Sequence, residues 1–151
     1  MKKIITGSVL VAIGLSMTGI VQAQVKPETL VKQRQAAMTL QAKYFGPLGG
    51  MAQGKVPYDA KIVARNAGYL EALSQMPWDG FAPGTRNVKS EALPAVFTDA
   101  AKFKEAQDLF HAAVAKLVTA SKGSDAEAAK ATIKGVAKTC GDCHENFREK
   151  K

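Results

Sequence analysis

Cys140-Gly141-Asp142-Cys143-His144 is the stretch on which the reading of this chain turns. It ends seven residues before the C-terminus and uses both cysteines of the 151-residue sequence. Two thiols three positions apart on a helix can reach the two vinyl groups of one porphyrin, and the adjacent histidine then lies under the iron as an axial ligand. A bare CxxC says less, because dithiol redox centres and zinc sites share the spacing. A structural zinc ion wants four ligands, and outside the motif only His111 remains as a histidine or cysteine donor. A thioredoxin-like pair wants a βαβ setting, whereas the sequence on both sides here has a helical pattern. The pentapeptide is therefore read as the anchor of one covalently attached haem c, with Cys140 and Cys143 as thioether sulfurs and His144 as the iron ligand.

Working back from the motif, the last helix is expected from Ser124 or Asp125 to about Arg148, with Ala129, Ile133, Val136, Ala137, Cys140, His144 and Phe147 on one face. Cys143 and His144 lie three and four positions after Cys140, so the anchoring residues share the core face of that helix. Upstream, Phe103, Ala106, Phe110, Ala113, Val114 and Leu117 predict a third helix from Pro94 or Thr98 to Ser121. A second helix is expected to start after Asp59 as N-cap and to carry Ile62, Ala67, Leu70 and Leu73. The first runs from Pro27 to about Gly46; Gly46 to Gly50 loosen it, so that it either frays there or continues weakly, and Gly54 with Pro57 closes the segment. Its apolar face is Leu30, Arg34, Ala37, Met38, Gln41 and Phe45. Between the second and third helices, Met76 to Pro94 has no helical period, and its Trp78 and Phe81 are expected to fold back over something apolar. With no strand pattern and no repeat, the fold class is all-α: an antiparallel, up-down-up-down four-helix bundle with haem in its core.

Residues 1–23 read as a cleaved signal peptide. Lys2 and Lys3 precede an uncharged run from Ile4 to Ile20, and Val21-Gln22-Ala23 offers a cleavage site. The run is short for a span and broken by Gly7, Ser8, Gly14 and Ser16, so no stable membrane anchor is expected. Residues 24–151 then form a single haem-binding domain, and export places it in the periplasm, where thioether attachment also keeps the two thiols from pairing. The formal charge falls from +8 to +6 when the two leader lysines leave. The basic residues are spread over every segment, which argues against a nucleic-acid partner.

The chemistry depends on the iron's second axial position. Only seven residues follow His144, so that face belongs to upstream sequence. Met38 occupies an inward helical position, unlike Met51 and Met76 in the glycine- and proline-rich ends. If its sulfur binds iron, the site is six-coordinate and suits electron transfer; if it only packs there, the site is five-coordinate and can take up a small neutral gas. His111 sits at the edge of its helical face and is expected on a flank. Arg34, a guanidinium on an apolar face, needs a partner, and a haem propionate is a natural one. Arg148, one turn beyond His144, either reaches the proximal side of the haem or stands in solvent and favours only the helix dipole. No inward histidine or acid near Met38 can serve as a general base, so a haem enzyme is not expected.

With these residues assembled, the chain resembles the cytochromes c prime, the class II c-type cytochromes. The resemblance covers essentially the whole mature chain and rests on Cys140 through Arg148, on Arg34-Gln35 ahead of Met38, on Pro57-Tyr58-Asp59, and on Pro77-Trp78, Phe81 and Pro83-Gly84-Thr85. It implies a periplasmic four-helix bundle, usually a homodimer packed through its first two helices, with high-spin haem on His144. It also implies electron transfer and binding of nitric oxide (NO) and carbon monoxide (CO), with redox partners left open. By position, Arg34 and Gln35 would hold propionates, Met38 would block the distal face, Arg148 would flank His144, and Trp78 with Phe81 would pack at the haem edge. Lys89 and Ser90 fall where relatives supply a further propionate contact. Low-spin relatives of the same fold place a coordinating methionine at the position of Met38, so both readings of that residue stand.

Overall fold

The computed structural model describes residues 25–150, and the expected signal peptide lies outside them. Five α-helices follow in order: α1 (Pro27–Ala52), α2 (Ala60–Ser74), the single turn α3 (Ala95–Thr98), α4 (Ala100–Ala120) and α5 (Ala126–Phe147). The long ones form the expected bundle. Helix α1 packs on α2 and α5, and α4 packs on the same two, so each long helix has two long neighbours around one core.

Local chemistry explains most of the helix ends. Pro27 occupies the first turn of α1, where its missing N–H costs nothing. Asp59 caps α2, its Oδ1 accepting from the Lys61 and Ile62 amides at 2.8 and 3.1 Å. Asp125 does the same for α5, accepting from Glu127 and Ala128 at 2.9 and 3.0 Å. Of the two expected outcomes past Gly46, fraying or continuation, helix α1 takes the second and runs through Pro47 to Ala52. A proline inside a helix removes one backbone bond, but Leu48, Met51 and Ala52 are all buried in this last stretch, and that burial outweighs the defect. Gly54 then takes φ 70°, which lets the Lys55 amide reach back to the Gly50 carbonyl at 2.9 Å and close the helix.

The third expected helix is broken. Asp99, at φ −109° and ψ 47°, separates α3 from α4. The break turns Val96 inward against Phe103 and Phe147, a contact that a straight helix would forgo. The connection between α2 and α3 is an ordered strap with two 3-10 turns, Trp78–Phe81 and Pro83–Thr85. Its far end pairs with the C-terminal tail through an antiparallel bridge between Ala92 and Arg148. There the Leu93 amide donates to the Phe147 carbonyl at 3.0 Å, and the Glu149 amide donates to Glu91 at 2.8 Å.

Leu48, Val63, Leu70, Val114, Leu117, Ile133 and Val136 form the main core. Two buried polar side chains stitch α1 to α2: the Gln41 amide donates to the Leu73 carbonyl and the Asn66 amide to the Tyr44 carbonyl, each at 2.9 Å.

Candidate haem site

The helical period delivers the anchoring residues to one place. Cys140, Cys143 and His144 all line a cavity of about 480 Å³, within the size range of small-molecule sites. Helix α5 adds Val136, Thr139 and Phe147 to that wall, α4 adds Phe103 and Phe110, and α2 adds Leu70. Helix α1 contributes Arg34, Gln35, Met38, Gln41 and Phe45, and the strap contributes Trp78, Phe81 and Ser90. The lining is thus mostly apolar and aromatic, with two thiols and an imidazole grouped on one helix.

Electrostatics suit those three groups to their expected roles. Burial, reinforced by the neighbouring Cys143, pushes the Cys140 thiol up to about 11. Burial raises the Cys143 thiol as well. Both therefore stay as neutral thiols near neutral pH. Burial first, and the Arg148 cation second, hold the His144 imidazole below its ordinary range. A neutral imidazole keeps a lone pair free, which is what a metal ligand requires.

Arg34 is 5% exposed, and the structure supplies two partners the sequence did not reveal. Its Nη1 donates to the Gly80 carbonyl at 2.5 Å. Its guanidinium carbon lies 4.2 Å from the centre of the Phe81 ring, a cation–π contact. Burial lowers its pKa, yet a guanidinium stays charged at any relevant pH. The same residue lines the cavity, so a cation is presented to whatever the cavity holds.

Trp78 folds inward as expected. Its ring stacks near Phe81 at 6.1 Å between centroids and meets Phe103 and Phe110 edge-on. Its indole N–H reaches both the Ser74 carbonyl at 2.7 Å and His111 Nε2 at 3.0 Å. His111 is half-buried at the flank, engaged with Trp78 and Ser74, and is not part of the cavity wall. Met38 is half-buried on the α1 wall. Gln35, although exposed, borders the cavity, as does Ser90, whose hydroxyl accepts the Ala92 amide at 3.3 Å. Lys89 is exposed and does not line the cavity. Arg148 is exposed at the cavity rim and extended, at φ −130° and ψ 142°, because its backbone has left α5 to pair with the strap.

Gly80 escaped the sequence reading. A Cβ there would stand 2.4 Å from Arg34 Cβ and 2.7 Å from the Leu30 carbonyl, so only glycine permits the strap to lie this close to α1. The available signal was a glycine between two aromatic residues in an irregular stretch, combined with an inward arginine that lacked a partner.

The donor set and the cavity fit a covalently held haem: two thiols at the right helical spacing, a neutral imidazole beside them, apolar walls, and a buried cation able to meet an acidic substituent. Comparison with known proteins agrees. The family model described as Cytochrome C' matches residues 29–148. Cytochrome c' of Rubrivivax gelatinosus is 45% identical over 126 residues, covering 83% of this chain and 98% of that protein. Its crystal structure superposes with a TM-score of 0.78 over 82% of this chain and 98% of the other. A ferrous variant of cytochrome c prime from Alcaligenes xylosoxidans with bound NO gives a TM-score of 0.78 at 38% identity, covering 85% of this chain and 99% of its own. A motif at the end of the last helix, a cavity that collects both thiols and one imidazole, and relatives matched over almost their whole length lead to one conclusion: this chain belongs to the cytochrome c' family and carries a covalently attached haem c.

Proposed function

We propose that this chain is a periplasmic haem protein whose iron, held by His144, keeps its second axial position free for small neutral gases, NO and CO among them. The observation that carries this reading is the make-up of the cavity wall away from α5. Among the described residues no histidine other than His144 lines it, and the one methionine of that wall, Met38, sits half-buried on α1. Solved relatives support it, since cytochrome c prime from Alcaligenes xylosoxidans has been crystallised with NO and, in another variant, with CO. When bound, the haem supplies the gas-binding and one-electron redox chemistry. The chain supplies the rest: Cys140 and Cys143 tether the group, His144 holds the iron, Met38 restricts access, and the aromatic walls exclude water. Arg34 meets one propionate, Gln35 and Ser90 add polar contacts at the rim, Trp78 and Phe81 cover an edge, and Arg148 flanks His144. Lys89, exposed beside Ser90, is the weakest of these contacts.

Electron transfer is the second use of the same site. If Met38 swings its sulfur onto the iron, the protein becomes a six-coordinate electron carrier indifferent to gases. An absorption spectrum of the reduced protein with and without CO separates the two. Broad high-spin bands that sharpen and shift with CO support the open site. Sharp low-spin bands unmoved by CO overturn it.

A second copy of the chain completes the proposal. Leu40 and Tyr44 lie one turn apart on α1, and the Tyr44 and Tyr69 rings meet at 4.7 Å, so an apolar strip runs across the outer α1–α2 face. Leu40 and Tyr69 remain exposed there. Sedimentation of wild type against Tyr69→Arg tests this contact, and a monomeric wild type overturns it.

A further inference from the structure

The buried Arg34 is held from one side by the strap, and this suggests how its charge is aimed. Two strap residues contact it. The Gly80 carbonyl accepts from Nη1 at 2.5 Å, and the Phe81 ring lies under the guanidinium at 4.2 Å. The carbonyl is itself fixed, since the Thr85 hydroxyl stands 3.2 Å from it, Thr85 is buried, and the Gly80 amide donates to Pro77 at 3.2 Å. One donor of the fork and one face of the plane are thereby fixed. No buried side-chain nitrogen or oxygen lacks a partner among the described residues, so the other Arg34 nitrogens are not sealed off from both partners and the cavity they border.

We propose that Gly80 and Phe81 are positioning residues that orient Arg34 towards the haem propionate, and so set the electrostatic potential felt by the iron. The inference rests on the reading of Arg34 as a propionate partner. Its physical content is specific. An unrestrained arginine side chain has several rotatable bonds and snorkels to solvent at little cost. A guanidinium clamped by a carbonyl and an aromatic face keeps its charge where the dielectric is low and the charge acts strongly. Glycine at position 80 is what allows the clamp, because a methyl group there would meet Arg34 Cβ and the Leu30 carbonyl, neither of them the mobile end of a side chain. Gly80→Ala must therefore lift the strap from α1 and take the carbonyl out of reach.

The test is a double-mutant cycle on the holoprotein, with the haem midpoint potential and the thermal midpoint both measured. A cation beside the haem favours the reduced iron, so Arg34→Gln lowers the potential. Gly80→Ala is expected to lower it by at least half as much, and to leave it unchanged when Arg34 is already glutamine. Phe81→Leu, which keeps apolar volume at that position, runs the same cycle and suffices if Gly80→Ala does not yield folded holoprotein. A strap variant that lowers the thermal midpoint but not the potential overturns the inference, as does an equal potential shift in both backgrounds. Should Arg34→Gln itself leave the potential unmoved, the propionate reading fails first, and the positioning role falls with it.

Discussion

The two halves of the bundle core are built by different rules. Around Leu48, Val63, Val114, Leu117 and Ile133, four helices interdigitate aliphatic side chains that are all but inaccessible to water. Around Phe103 and Phe147 the walls are aromatic, joined by Trp78, Phe81 and Cys143, and these residues line the cavity, with Val96 packed in the same cluster. The aliphatic half stabilises itself by contact between its own side chains. The aromatic half lines the cavity, and an additional element, the strap, closes it. The bundle thus provides a self-sufficient support at one place and a cofactor-dependent surface at another, with α5 running through both.

This contrast can be broken most severely at the thiols. The double replacement Cys140→Ser with Cys143→Ser is expected to abolish covalent haem, read as loss of haem staining on a denaturing gel. It should also lower the thermal midpoint by more than any single core truncation, because the aromatic half then loses the group it is shaped around. Next, Leu117→Ala should cost about 2–5 kcal/mol in denaturant unfolding. That cost should be the same with and without haem. Phe103→Ala should cost far more in the holoprotein than in the haem-free chain. Equal costs for Phe103→Ala in the two forms would show that the halves do not differ in this way.

A subtler effect concerns pH in the haem-free chain. Burial favours the neutral Cys140 thiol, so the folded state keeps its proton to about 11 whereas an unfolded thiol loses it near 9. The stability this contributes is fully present below about 9 and is lost as pH rises towards about 11. Alkylation of Cys140 should follow the same displaced profile, and a half-point near 9 would show the thiol to be solvated. The smallest effect is expected far from the site: Asp125→Ala removes the cap of α5 and should cost about 0.5–2 kcal/mol, with the CO-induced spectral change retained.

Much of the fold was legible because it depends on short-range rules. Asp59 and Asp125 announce helix starts through side chains that reach amides two and three residues on. The apolar stripes of α1, α2, α4 and α5 repeat at a spacing that places them on one face without reference to the rest of the molecule. The prolonged end of α1 was less legible, since Gly46 and Pro47 argue locally for a stop and only the burial of Leu48 and Met51 reverses that preference. The break at Asp99 has a similar origin, in the contact of Val96 with residues on two other helices.

The same division holds for the site. Cys140, Cys143 and His144 were readable from sequence alone because three groups on one helical turn need only helical geometry to converge. Met38 and Arg34 were recognisable as inward residues for the same reason. What sequence by itself determined, then, is the haem anchor, the class of fold and the inward face of α1 that lines the cavity. The partners of Arg34, the need for glycine at position 80 and the extended backbone of Arg148 were decided by tertiary structure. Each depends on where an irregular strap crosses a helix or meets the chain's end, and no local period encodes the approach of residues 46 positions apart.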